Sequence, residues 1–243
     1  MENDAFRNPR KLGAWICGLA FLIGLLRAVW IGFELHIDGM RQRMGALMDA
    51  VTDRSQELAT LTQHMHQIRL VQDLFLVLEL MLFVANAVLF CIWLYRAARN
   101  ARALGALGFD YSPGWTVGWF FIPFAGFVMP YFTVREVWQS SENPMNWSTP
   151  AMPVIVLLWW VTYIPSSILQ RISAVMLKSA GDDLSAQLRA SHVGIAGSLL
   201  LLLSIGFMIS MVRRIGAMQL LHWMHPSPEA IEITGRQPQA ATP

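Results

Sequence analysis

The amino-acid sequence predicts an all-α membrane protein: a four-helix transmembrane bundle with a Pro/Gly-broken segment and an extramembrane helical hairpin. Of the 243 residues, 55% are hydrophobic and 14% are charged, whereas soluble domains are roughly 25% charged. Four stretches approach the ~20 apolar residues that a bilayer core requires. Arginine and lysine collect near the ends of these stretches, as is typical of membrane proteins.

Four membrane-spanning helices are predicted, over residues 13–33, 74–94, 153–169 and 193–212. The first follows a basic N-terminus without small-residue cleavage spacing, which favours an uncleaved signal anchor over a secretory signal. The third is the shortest and contains Pro165, which membrane helices tolerate where neighbouring groups satisfy the freed carbonyl.

The spans define one membrane domain, residues 1–223, followed by a tail, residues 224–243. This tail is rich in Pro, Gln, Ala and Thr and has no apolar period. Such composition cannot bury enough apolar surface to offset the entropy of ordering. We therefore predict a disordered C-terminal tail.

An outer helical hairpin is predicted over residues 36–70. Its apolar positions recur every three or four residues, as in Ile37, Met40 and Met44. One continuous helix would run about 50 Å from the membrane at 1.5 Å per residue and could not return. The chain is therefore expected to turn near Thr52–Ser55. The other outer connection should also be short, with Gly181 ending a helix and Asp182 or Asp183 starting the next.

The stretch WTVGWFFIPFAGFVMPYF is apolar but broken by proline and glycine, and it forms the centre of a segment over residues 113–134. If it crossed the membrane there would be five spans, and Arg213 and Arg214 would lie outside. If it is re-entrant or interfacial, the basic clusters after the even spans and at the N-terminus are all cytoplasmic, as positive residues prefer. The sequence favours this second layout, with both termini cytoplasmic.

The block from Trp93 to Ser141 carries a distinctive order of motifs: Tyr95-Arg96-Ala97-Ala98 with Asn100, Ser112-Pro113-Gly114-Trp115, Phe121-Ile122-Pro123, Pro130, and Arg135-Glu136 with Trp138. This block resembles the bacterial membrane-protein family known as domain of unknown function 4328. The resemblance implies a multi-pass protein of the bacterial inner membrane and implies no reaction. It covers the last two spans loosely, and the hairpin from Ile37 to Ile68 looks like an elaboration of this chain.

Arg27 and Glu79 are the most informative polar residues. Counting along the helices, Arg27 lies about 21 Å from the inner edge of the membrane and Glu79 about 20 to 24 Å from it, so they can meet. An intramembrane charge costs roughly 2.5 to 3.5 kcal/mol and normally finds a partner. The pair either fixes the register of two helices, which we favour, or, with Asn86, belongs to a proton or ion relay.

Arg96, Arg99 and Arg102 recur every three residues on a helix that leaves the membrane. They are either topology anchors, which we favour, or contacts to anionic phospholipid headgroups. They could also pair with nearby carboxylates and clamp the broken segment. That segment either caps the bundle or lines a transport pathway, through Pro113, Gly114, Trp115, Pro123, Gly126, Pro130, Arg135 and Glu136.

No nucleophile elbow, zinc-protease motif, P-loop or dinucleotide glycine pattern occurs in the sequence. The net charge of +2 does not suggest a nucleic-acid partner. We predict no catalytic, cofactor or metal site. The expected function is a non-catalytic interaction or regulatory module in contact with the lipid bilayer, joined to a partner or a second copy through the outer hairpin. The alternative is a small transporter or channel component.

Overall fold

The computed structural model describes residues 6–49, 55–147 and 152–235, and every regular element within these ranges is a helix. These elements include two 3-10 turns, Trp119–Phe121 and Ala125–Phe127. The helices in chain order are α1 (Arg10–Asp49), α2 (Ser55–Ala103), α3 (Pro113–Gly118), α4 (Met129–Glu142), α5 (Val154–Ala180), α6 (Leu184–Met224) and α7 (Pro228–Thr234).

Four of the described helices are long and apolar enough to cross a membrane. Three of them contain a predicted span and continue beyond it, and the fourth begins one residue after the start of the span predicted over 153–169 and continues beyond its end. The predicted helical membrane fold class is confirmed. The membrane-capable stretches are Arg10–Leu47, Val71–Ala103, Val154–Ala180 and Leu184–Met224.

The outer hairpin is formed by the far ends of α1 and α2. Helix α1 continues to Asp49 and α2 begins at Ser55. Of the turn predicted near Thr52–Ser55, only Ser55 lies within the described part of the chain, and it is helical. Ile37 and Leu47 are buried, and Met40 and Met44 are half-buried. The first half of the apolar stripe therefore packs inward. The second half of the apolar stripe covers residues 58–68, where Gln63 is the one side chain that the structure describes, and it is exposed.

The chain forms two compact units, each built from parts of the same four long helices. Buried apolar side chains form the core of each unit: Trp93, Val134 and Ile215 are buried in unit 1, and Ile23, Ile37 and Ala190 in unit 2. Unit 1 comprises Met1–Ala20, Ala85–Val161 and Ile205–Pro243, and unit 2 comprises Phe21–Val84 and Thr162–Ser204.

The connection between α5 and α6 forms as predicted. Gly181 follows the last residue of α5 with φ +51°, in the left-handed region that favours glycine. Asp183 caps α6, because its Oδ1 accepts hydrogen bonds from the backbone N–H of Ser185 at 2.8 Å and of Ala186 at 3.0 Å. The Ser185 hydroxyl and these amides lower the pKa of Asp183.

The prediction of a disordered tail is wrong for α7. Ser227 caps this helix by accepting a hydrogen bond from the Ala230 N–H at 3.2 Å, and Pro228 occupies its first turn. Ala230 is buried, and Gly235 ends the helix with φ +64°. The short helix thus has both caps and a buried contact, which composition alone did not reveal. Residues 236–243 lie outside the described ranges.

Candidate functional site

The structure brings Arg27 and Glu79 together in unit 2. Arg27 Nη2 lies 2.5 Å from Glu79 Oε1, and the two side chains are 12% and 8% exposed. The antiparallel run of α1 and α2 produces this contact, because both residues lie at a similar depth in their spans. One positive and one negative charge meet, so the pair is balanced.

A second buried polar cluster in unit 2, the Asp38 cluster, consists of Glu34, Asp38 and Arg41 from α1 and Ser191 from α6. Arg41 Nη1 donates to Asp38 Oδ1 at 2.7 Å and lies 3.7 Å from Glu34 Oε2. The Ser191 hydroxyl lies 2.7 Å from Asp38 Oδ2 and 3.3 Å from Glu34 Oε2. Two carboxyl groups thus share one guanidinium and one hydroxyl.

This cluster was not predicted from the sequence, although the sequence contains a signal for it. Glu34, Asp38 and Arg41 follow Arg27 at intervals of seven, eleven and fourteen residues. At 3.6 residues per turn these four positions lie on one face of α1. Because the first span is predicted to end at residue 33 and the outer hairpin to begin at residue 36, Glu34 falls between them and Asp38 falls in the hairpin, where charges need no partner.

Unit 1 contains a buried network of neutral polar groups. Asn100 Oδ1 accepts from the Arg7 N–H at 3.0 Å, and Asn100 Nδ2 donates to the Arg7 carbonyl at 2.9 Å and to Gln219 Oε1 at 3.1 Å. Gln219 Nε2 donates to the carbonyl of Ala97 and to Ser141 Oγ, each at 2.9 Å. Asn100, Gln219 and Ser141 are almost fully buried. This network joins α2, α4 and α6 to the N-terminal segment.

The loop between α2 and α3 is held from two sides. Arg102 Nη2 donates to the Tyr111 carbonyl at 2.6 Å, and its guanidinium carbon lies 3.8 Å from the centroid of the Phe109 ring. On the other side, Glu136 Oε1 accepts a hydrogen bond from the Asp110 N–H at 2.6 Å. These contacts hold the loop through its backbone, and the predicted pairing of the arginines with carboxylates to clamp the broken segment stays a prediction.

The Glu136 carboxyl group is buried, and its second oxygen, Oε2, has no hydrogen-bond partner. Burial raises the pKa of Glu136 from 4.5 to about 7, assisted by the nearby Asp110 carboxylate and opposed by the Asp110 N–H and Arg102. This carboxyl group can therefore change its charge near neutral pH.

The broken segment forms short helices and turns, and no part of residues 113–134 forms a helix long enough to span a membrane. Ser112 caps α3, with Pro113 and Gly114 in its first turn, and Pro130 opens α4. At Gly126 an added Cβ would lie 3.3 Å from the Phe120 carbonyl oxygen, so the backbone approaches itself closely there. Pro123 lies between the two 3-10 turns.

Exposed aromatic rings mark the tip of this segment. Phe124 is 85% exposed and adopts φ +63°, which is unusual for a residue with a Cβ, and Phe121 and Trp115 are exposed as well. The segment is attached to the long helices. The Trp160 indole N–H donates to the Phe127 carbonyl at 2.9 Å, and the Phe120 ring packs against Phe90 and Trp160.

The remaining residues that were predicted as site residues take part in none of the contacts described above. Arg96 and Arg99 are half-buried on α2, and Asn86 is buried with no partner for its Oδ1 atom. Arg135 is half-buried on α4, with an unpartnered Nε atom. Within the described ranges, no group of three or more His, Cys, Asp or Glu side chains is arranged to hold a metal ion.

The four apolar helices and their buried polar contacts define a multi-pass, all-helical membrane protein. The chain belongs to the family described as Domain of unknown function (DUF4328), whose family model matches residues 56–217. The match confirms the resemblance but begins within the hairpin, so its returning arm is part of the family and not an elaboration of this chain. The family match extends into the returning arm because the arm and the second span form one continuous helix, α2. No curated protein and no solved structure matches the chain.

Proposed function

We propose that this protein is a non-catalytic, multi-pass component of the bacterial inner membrane that serves as an interaction or regulatory module. The balanced contact between Arg27 and Glu79 carries the proposal. A charge that moves protons or ions through a membrane faces a wet cavity or a chain of further titratable groups. A closed 1:1 ion pair instead fixes the register of α1 against α2.

The charge distribution supports cytoplasmic termini. The basic residues that flank the spans at Arg10, Lys11, Arg96, Arg213 and Arg214 all belong to unit 1, and such residues stay on the cytoplasmic side. In this layout Arg96, Arg99 and Arg102 contact anionic phospholipid headgroups or anchor the topology. A reporter domain fused after Pro243 should be active in the cytoplasm, and activity confined to the periplasm would overturn the layout.

The contacts of the broken segment support a re-entrant or interfacial position. Phe120 packs against Phe90, which lies about 6 Å inside the predicted end of the second span. Trp160, which binds the Phe127 carbonyl, lies about 9 Å along α5 from its first residue. The exposed rings of Phe121 and Phe124 then meet the bilayer interface, where aromatic side chains are favoured.

Exposed apolar side chains support a partner surface on unit 2. Val71, Ile172, Val175 and Leu177 are exposed near the ends of the membrane-capable stretches Val71–Ala103 and Val154–Ala180. Large exposed apolar surfaces are typical of sites that contact proteins or lipid. A partner protein or a second copy of the chain would cover them. Self-association that persists after Val175→Asn and Leu177→Asn are combined would argue against a second copy at this surface.

A small transporter or channel component is the second candidate. The observation in its favour is the row of charges on α1, where Arg27, Glu34, Asp38 and Arg41 occupy one face. This row adds three charged residues to the Arg27–Glu79 pair that was predicted from the sequence. Transport would require that Arg27 or Glu79 exchange its partner during turnover.

A double-mutant cycle separates the two candidates. Arg27→Leu and Glu79→Leu should each lower the free energy of unfolding by about 3 to 5 kcal/mol, because each leaves a buried charge unpaired. The double variant should recover most of that loss. Arg43→Leu, which removes an exposed arginine of the same helix, serves as the control and should change little.

The double variant also decides the function. If it is stable and retains the cellular phenotype, the pair is structural and the interaction module stands. If it is stable but loses a measured flux or the phenotype, the pair belongs to a transport mechanism and the second candidate replaces the first.

A further inference from the structure

The Asp38 cluster differs from the Arg27–Glu79 pair in its charge balance, and this difference indicates a bound proton. We propose that unit 2 contains a proton-binding site in which Glu34 is protonated and donates a hydrogen bond to Ser191, while Ser191 donates to ionised Asp38. The inference goes beyond the proposed function, since it holds whether the protein is an interaction module or a transporter.

The number of hydrogen atoms in the cluster carries the argument. The Ser191 hydroxyl has a single hydrogen, yet its oxygen lies within hydrogen-bond distance of both Asp38 Oδ2 and Glu34 Oε2. It can donate fully to only one of them, and the 2.7 Å contact with Asp38 is the shorter. The 3.3 Å contact with Glu34 then needs a hydrogen from the other side, which a protonated Glu34 carboxyl group supplies.

The position of Arg41 assigns the negative charge to Asp38. The guanidinium Nη1 atom is 2.7 Å from Asp38 Oδ1 but 3.7 Å from Glu34 Oε2. A charge-assisted hydrogen bond is typically about 2.7 to 2.9 Å long, which fits the contact with Asp38 and not the contact with Glu34. Arg41 and Asp38 therefore form the ion pair, and Arg41 makes no direct hydrogen bond to Glu34.

The location of the cluster makes an extra charge unfavourable. Asp38 and Arg41 are 4% and 6% exposed, and both lie in the membrane-capable stretch Arg10–Leu47. Among the side chains that the structure describes, the groups facing Glu34 are Asp38 and Arg41 on its own helix and the Ser191 hydroxyl on α6. With Glu34 ionised, two negative charges would face one positive charge. A bound proton makes the cluster neutral.

A metal cation would balance the charge less well than a proton. The Arg41 guanidinium already lies against both carboxyl groups, so a second cation beside them would meet its repulsion at short range. Calcium also requires six to eight oxygen ligands, whereas this cluster offers the oxygens of two carboxyl groups and one hydroxyl.

Three amide substitutions in the full-length protein test the assignment. Glu34→Gln resembles the protonated acid and should unfold at the same temperature as the wild type at neutral pH. Asp38→Asn leaves Arg41 unpaired, and Glu79→Gln leaves Arg27 unpaired, so both should unfold at lower temperatures. In an alkaline titration the wild type should lose stability as Glu34 ionises, whereas Glu34→Gln should not show this step.

A spectroscopic readout keeps the test valid if Asp38→Asn fails to fold. In a Glu136→Gln background, which removes the other carboxyl group whose pKa lies near neutrality, the infrared carbonyl band of a protonated carboxylic acid should be present at neutral pH. In that background the band should disappear when Glu34→Gln is added and persist when Glu79→Gln is added instead. An equal loss of stability in Glu34→Gln and Asp38→Asn would overturn the proposal, as would persistence of the band in Glu34→Gln. If sodium in place of choline stabilises the wild type but not Glu34→Gln, the site binds a cation instead and the proposal fails.

Discussion

The two units use different chemistry to place polar groups in their interiors. Unit 1 relies on the neutral side chains of Asn100, Gln219 and Ser141, which bond one another and the backbone. Unit 2 relies on charged side chains, in the Arg27–Glu79 pair and the Asp38 cluster. Neutral groups need only the right number of donors and acceptors, whereas buried charges must also sum to zero.

This comparison explains why protonation matters in one unit more than in the other. The contacts of Asn100 and Gln219 are amide and hydroxyl hydrogen bonds, so they do not change with pH in the range where carboxyl groups titrate. The charged contacts of unit 2 depend on the state of each carboxyl group. Replacing central members of the two networks should therefore give losses of stability with different pH dependence.

The largest effect within the neutral network is expected for Gln219→Met. The substitution keeps an unbranched side chain but removes three hydrogen bonds, to Asn100, Ala97 and Ser141. We expect the free energy of unfolding to fall by about 2 to 3 kcal/mol, since each such bond contributes about 1 kcal/mol. Chemical unfolding of the purified protein in mixed micelles at pH 6 and pH 8 measures the loss.

The loss should be equal at the two pH values. Glu79→Gln provides the charged comparison in unit 2, because it removes one partner of a buried ion pair in the same assay. A loss for Gln219→Met that changes markedly between pH 6 and pH 8 would show that the network of unit 1 is coupled to a titrating group, and the contrast between the units would not hold.

Whether a contact can be predicted from the sequence depends on whether it follows from the local helix geometry or from the packing of distant segments. The contact of Arg27 with Glu79 could be anticipated because the depth of a residue in a span follows from counting along a helix. The bond between Asn100 and Gln219 joins residues 119 positions apart. Nothing in either local stretch indicates that the two amides meet, since that depends on the packing of α2 and α6.

Local capping was predictable for the opposite reason. The helix end at Gly181 and the cap at Asp183 depend only on adjacent residues, and both form as predicted. The capped helix α7 carries similar signals at Ser227 and Gly235, but the polar composition of the tail outweighed them. Composition describes the average of a segment, whereas a short helix depends on a few residues in order.

Unit 1 contains one exception to its neutral interior. Among the buried polar side chains described in this unit, Glu136 is the one that carries an acidic or basic group. Burial raises its pKa to about 7, so the folded state favours the protonated form more than the unfolded chain does. Stability should therefore be greatest below about pH 4.5 and decline as the pH rises to about 7, after which the loss is complete.

Glu136→Gln should remove this decline, because the amide has no charge to lose and can still accept the Asp110 N–H. The variant should match the wild type near pH 5 and exceed its free energy of unfolding at pH 8, by an amount on the order of 1 kcal/mol because water around exposed Asp110 screens part of the charge. Chemical unfolding of both proteins at pH 5 and pH 8 in mixed micelles measures the difference. Glu142→Gln, at an exposed position of the same helix, is the matched control. If the wild type and Glu136→Gln decline in parallel, the carboxyl group is already ionised in the folded protein, and unit 1 then tolerates a buried charge just as unit 2 does.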